Sequence, residues 1–133
     1  IRLGICYASE EIIALLNKIK PPYNINELTQ QRAFERLVNV EDVSNEVEHI
    51  LVEKTSVSKQ LLEIPFIEKI YPSEANFILV KVDDATKRYT QLLKQGIVVR
   101  NRSNQPLCEN TLRLTIGTAA ENKKLIKSLQ KII

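Results

Sequence analysis

Residues 96–122 read GIVVRNRSNQPLCENTLRLTIGTAAEN, and this stretch contains two short β-patterned runs. In the second, from Thr111 to Ile116, Leu112, Leu114 and Ile116 alternate with Thr111, Arg113 and Thr115. Strand side chains project to opposite faces with period two, so the aliphatics are expected on the covered face and Arg113 on the other. The first run, residues 97–102, puts Arg100 on one face with Val98 and Arg102, so either arginine can be the functional one. An arginine offers a rigid, permanently charged fork that matches a carboxylate or a phosphate. One such residue is ordinarily an exposed strand arginine; the surrounding sequence gives these two their weight.

Outward from that stretch the elements can be placed one by one. Thr118-Ala-Ala-Glu121 is a capping-box pattern, and it predicts a last helix that buries Leu125, Ile126, Leu129, Ile132 and Ile133. Upstream, Gly96 is a natural helix stop, because glycine enters the left-handed region without a Cβ clash. The helix it stops is capped by Asp83 or Asp84, with Ala85, Tyr89, Leu92 and Leu93 on one face. Residues 67–71 and 76–82 read as two further strands. The longest element begins at Asp42 or Ser44 and ends near Leu62, with Val43, Val47, Ile50, Leu51, Val57 and Leu61 recurring every three to four residues. A helix of about twenty residues spans roughly 30 Å, enough to brace a small domain. Before it, Asn26 caps a helix bearing Leu28, Phe34, Leu37 and Val38, and Pro21-Pro22 ends an earlier one capped by Ser9. Residues 1–8 are expected to form a strand. The order is β-α, a proline crossing, two helices, then β-β-α-β-β-α. It predicts an α+β fold, a short and mainly antiparallel sheet covered by helices and preceded by a long bridging helix.

Composition bounds the function classes. The 133 residues suit one core, with 44% apolar and 26% charged residues and a net charge of +3. Lys123, Lys124, Lys127 and Lys131 lie on one predicted helix without interleaved aromatics, the pattern of a solvated face rather than of nucleic-acid binding. No apolar run approaches membrane-spanning length. Cys6 and Cys108 form no spaced motif and are read as reduced thiols of a cytoplasmic protein. His49 is the only histidine and stands among mobile glutamates, so no metal site is expected. The chain has no methionine and opens on an uncapped β-patterned run, which predicts a piece cut from a longer protein. Apolar surface left uncovered in such a piece would favour self-association.

Four blocks resemble the histidinol-phosphate aminotransferases in the same order along the chain. Ile1-Arg-Leu-Gly is similar to the G-x-R-x-G that follows their catalytic lysine segment, and Lys20-Pro-Pro-Tyr-Asn-Ile-Asn to their interdomain crossing. Pro72-Ser-Glu-Ala-Asn-Phe-Ile-Leu-Val is similar to their P-S-x-A-N-F strand. Residues 96–122 match their G-I-x-V-R, Q-P and L-R-x-T-x-G-T runs and the following E-N. The resemblance implies the C-terminal part of a fold-type I, pyridoxal 5'-phosphate-dependent transaminase of histidine biosynthesis. Its reaction exchanges an amino group between histidinol phosphate and 2-oxoglutarate, giving glutamate. Residues 1–22 would end the large cofactor domain, and 23–133 would form the small C-terminal domain of a homodimeric enzyme.

The resemblance assigns Arg2 to the cofactor phosphate and Arg113, with Arg100 as second candidate, to the substrate's acidic group. It assigns no catalytic residue within this chain, because the family's lysine falls ahead of Ile1. The 133 residues alone are therefore expected neither to hold pyridoxal phosphate nor to transaminate. A related phosphate-handling enzyme such as a threonine-phosphate decarboxylase, an aromatic aminotransferase, or a non-catalytic α+β interaction module are the alternatives. No nucleic-acid or membrane partner is expected.

Overall fold

The computed structural model describes residues 3–133; Ile1 and Arg2 lie outside the described residues. The chain divides into two compact units, one running to Asn45 and the other Glu46–Ile133.

The first unit holds helices α1 (Glu10–Ile19) and α2 (Glu27–Val38). Ser9 stands at the N-cap of α1, and extended Lys20 ends it ahead of the two prolines. Asn26 caps α2 by accepting from the Thr29 N–H at 2.8 Å. Both helices carry an apolar stripe, and neither buries a residue. Ile19 is 78% exposed and Phe34 69%. Residues 3–9 form no strand, contrary to the sequence expectation: a strand needs a neighbour for its backbone groups, and no described strand pairs with these residues.

Helix α3 (Val40–Leu61) begins ahead of both expected starts, Asp42 and Ser44. In the second unit its C-terminal part buries Val57 and Leu61, while Val47 and Leu51 stay about half exposed. Strands β1 (Ile67–Tyr71) and β2 (Phe77–Val82), helix α4 (Ala85–Lys94), strands β3 (Arg100–Asn101) and β4 (Thr111–Thr115) and helix α5 (Ala119–Lys131) follow. The sheet order is β1-β2-β4-β3, antiparallel throughout. Ile78 pairs with Leu114 and Val80 with Leu112. These four are at most 2% exposed, and they pack with Val57, Leu61, Leu92 and Leu129 from the helices. Each fully buried aliphatic contributes about 1.5–3 kcal/mol, so this one covered face supplies most of the unit's stability.

Two helix ends are fixed by local chemistry. Gly96 has φ +72°; its N–H donates to the Leu93 carbonyl at 2.9 Å and that of Ile97 to the Leu92 carbonyl at 3.0 Å. This is a Schellman closure of α4, and a glycine at that φ avoids the Cβ penalty. It also explains why β3 is two residues long instead of the six anticipated. Ile97 spends its backbone on the helix end, and the strand has one neighbour only. At the other end, Thr118 and Glu121 form the reciprocal capping box of α5.

A methyl group on Gly117 would lie 2.6 Å from Glu121 Oε2 and 3.1 Å from its Cβ, pushing that carboxylate off the Thr118 N–H. Gly117→Ala should therefore destabilise the protein by about 1 kcal/mol in urea unfolding. An unchanged midpoint would mean the box is dispensable.

Helix α5 buries Leu125, Ile126 and Leu129, and its C-cap Ile132 is buried too, but Ile133 is 68% exposed because the helix has ended at Lys131. The sequence pattern also missed Arg88, which is 7% exposed on the inner side of α4. Its Nε and Nη2 donate to Asp83 at 2.9 and 2.7 Å, Nη1 donates to the Ile132 carbonyl, and its Cζ lies 4.0 Å from the Phe66 ring centre. Periodicity assigned that face to Ala85, Tyr89, Leu92 and Leu93; Ala85 and Leu92 are fully buried, whereas Leu93 is 47% exposed.

Candidate anion-binding site

Arg113 lies at the centre of β4 between Leu112 and Leu114, both fully buried. The period-two reading thus holds: the leucines face the helices, and Arg113 faces the other side of the sheet. Directly opposite it on β2 is Leu79, and directly opposite on β3 is Arg100. Residues directly opposite in an antiparallel pair share a face, so the two arginines stand side by side on the sheet face away from the helices. Arg102 is one step further along; its backbone N–H donates to the Thr111 carbonyl at 2.9 Å, where the loop to β4 begins. Arg2 lies outside the described residues.

Like charges directly opposite each other destabilise a sheet. The same face carries a second such pair, Lys69 on β1 opposite Lys81 on β2. There the chain supplies compensation. Glu68 sits 3.4 Å from Lys81 Nζ, and the Tyr71 ring centre lies 4.7 Å from Lys69 Nζ. At the arginine pair no carboxylate among the described residues does the same. Among the described residues neither the Arg100 nor the Arg113 side chain makes a hydrogen bond or an ion pair, and Arg113 Nε is buried without an acceptor. A buried unpaired donor costs about 1–3 kcal/mol, and an acceptor bearing negative charge removes both that cost and the repulsion. A guanidinium binds a carboxylate or phosphate through two parallel N–H bonds. What these residues can do chemically is hold an oxyanion.

The sequence reading did not single out Phe77. The guanidinium carbon of Arg113 lies 5.1 Å from its ring centre, within cation–π range. Phe77 pairs with Thr115, two residues beyond Arg113, a diagonal relation close enough for an aromatic and a long side chain to meet. The A-N-F block contained the signal, because it sets Phe77 on the alternate face from Ile78.

Comparison with known proteins gives the family. The model for aminotransferase class I and II matches residues 1–129. The chain belongs to the aminotransferase class I and II family. Among curated members of that family, histidinol-phosphate aminotransferase of Flavobacterium johnsoniae is 62% identical over 98% of this chain. The enzyme of that name from Christiangramia forsetii is 60% identical over 99%. The chain spans 37% and 38% of those relatives' lengths. Its fold matches the crystal structure of histidinol-phosphate aminotransferase from Clostridium acetobutylicum at a TM-score of 0.83 and 27% identity, over 92% of this chain and 38% of that one. L-threonine-O-3-phosphate decarboxylase from Porphyromonas gingivalis shares the fold, with a TM-score of 0.68 and 19% identity over 94% of this chain and 39% of that one.

Class I and II aminotransferases imply pyridoxal phosphate. The described residues do not make up a site for it. Arg2, the residue assigned to its phosphate, is outside them. The half-buried Lys54 spends its Nζ on the Ser73 and Ala75 carbonyls at 2.7 and 3.4 Å.

Proposed function

We propose that the chain forms the substrate-anion end of a pyridoxal-phosphate-dependent histidinol-phosphate aminotransferase. The observation that carries this reading is the pair Arg100 and Arg113, side by side without a carboxylate partner and with a buried, unpaired Nε, in a chain 62% identical to an enzyme of that name. The cofactor, bound elsewhere in the enzyme, supplies the electron sink for the transamination. The arginines supply orientation. In one half-reaction Arg113 receives the phosphate of histidinol phosphate and in the other a carboxylate of glutamate, and one planar fork suits both. Fixing the far end of the substrate turns binding contacts into alignment of the reacting bond.

Within this reading, residues 1–22 end the cofactor domain and carry Arg2 towards the cofactor phosphate. Residues 23–133 form the smaller domain, and two copies of the full protein build the active sites between them. The uncovered stripes of α1 and α2 support such packing. The likeness to threonine-phosphate decarboxylase, at 19% identity, is a likeness of fold, so it does not favour that chemistry.

The deciding measurement is a substrate survey with the full-length protein. Glutamate should form from 2-oxoglutarate with histidinol phosphate as donor, faster than with phenylalanine, and carbon dioxide should not be released from threonine phosphate. A preference for either rival substrate would overturn the assignment.

A further inference from the structure

The backbone places Arg113 on the open face of the sheet but does not say which way its long side chain lies. Leu79, directly opposite, offers aliphatic contact and no orientation. Arg100, on the other side, repels. No hydrogen bond or ion pair among the described residues holds the guanidinium. Among the described residues the one oriented contact is the face of Phe77 at 5.1 Å.

We propose that Phe77 is a positioning residue for Arg113, its ring holding the guanidinium away from Arg100 with the fork turned to the incoming oxyanion. This rests on Arg113 being the anion-binding residue. A ring can steer a cation only if the ring is itself fixed, and its backbone is held from several sides. Ser73 Oγ donates to the Phe77 carbonyl at 2.6 Å and accepts the Ala75 N–H at 3.2 Å. Lys54 Nζ, from α3, donates to the Ser73 carbonyl at 2.7 Å, and the Ile116 N–H donates to the Asn76 carbonyl at 2.9 Å. The turn between β1 and β2 is therefore tied to the long helix behind the sheet, and the ring that leaves it is tied in turn. Aromatic quadrupoles favour a cation over the ring face, and the interaction strengthens where water is excluded, as at the buried Nε.

The test compares Phe77→Leu with Phe77→Tyr in the full-length enzyme. Leucine keeps apolar bulk without a π-face, and tyrosine keeps the face. Phe77→Leu should raise the KM for histidinol phosphate about tenfold with kcat within about twofold, and Phe77→Tyr should restore it. Inorganic phosphate serves as a probe independent of turnover: it should raise the melting temperature of the wild type and of Phe77→Tyr, and that of Phe77→Leu much less. If Phe77→Leu melts early without ligand, Phe77→Met repeats the comparison with an unbranched side chain.

An unchanged KM and phosphate response in the leucine and methionine variants would overturn the proposal. So would a tyrosine variant as impaired as leucine while both melt like the wild type. Arg113→Gln separates the two levels of the argument. Weakened binding in Arg113→Gln alone would retire Phe77 and keep the anion site, whereas normal binding in Arg113→Gln would retire the anion site itself.

Discussion

Arg113→Gln should cut kcat/KM for histidinol phosphate about a hundredfold in the full-length enzyme, and by a comparable factor for glutamate. Two charge-assisted hydrogen bonds of roughly 1.5–3 kcal/mol each are removed, and glutamine returns part of one. Arg113→Lys should recover only a fraction, since an ammonium is a point charge that cannot offer two parallel donors. Stability should move the other way or not at all. Glutamine abolishes the like-charge contact with Arg100 and the unpaired buried Nε, and binding residues of this kind are commonly kept at the expense of stability. Equal loss of stability and activity would show Arg113 to be a structural residue. Steady-state kinetics with both substrates, alongside urea unfolding, gives both answers.

The second large effect concerns folding. Arg88→Ala should destabilise the protein by about 3 kcal/mol, because it strands a buried carbonyl and opens a void beside Phe66. The guanidinium holds the Asp83 carboxylate, the Ile132 carbonyl and the Phe66 ring at once, so it ties the end of α5 to the start of α4. Arg88→Met should recover part of the loss by filling the space. The same pair gives a pH signature. The hydrogen bonds from Arg88 lower the Asp83 pKa from 3.8 to about 2. A carboxylate whose folded pKa is depressed contributes stability that is fully present above its unfolded value. That contribution disappears as the pH falls from about 3.8 through about 2. The Asp83 side chain is 42% exposed, so solvent screening keeps this share small beside the loss of Arg88 itself. Asp83→Asn should flatten the stability profile below pH 4; an unaltered acid limb would assign that limb to other carboxylates.

Elements whose ends are set by one residue's chemistry were readable in advance. Asn26, Asp84 and Thr118 cap as their side chains dictate, Gly96 stops α4 at a positive φ, and β4 follows its alternation from Leu112 on. What stayed hidden depends on partners distant in sequence. The described part of the strand expected over the first eight residues has no pairing strand, and β3 shrinks because a helix closure claims its first residue. Arg88 is a charged residue at a core position, tolerable only because Asp83 and the end of α5 arrive to satisfy it. For the site, alternation placed Arg113 on the correct face. It could not show that Arg100 stands opposite, since strand register is set across the sheet. Alternation sets Phe77 on the face opposite Ile78, but its place beside Arg113 depends on that same register.

The order β1-β2-β4-β3 makes the sheet two hairpins docked along a seam, with α4 as the tether between them. Phe77 belongs to one hairpin and Arg113 to the other, so their contact is absent until the seam closes. A slip of one residue in that docking would turn Arg113 into the core and expose Leu112 and Leu114, since strand faces swap at each step. The leucines that lock the register are thus also guardians of binding. Conservative trimming of either one should loosen substrate affinity by misaligning a cation it never touches.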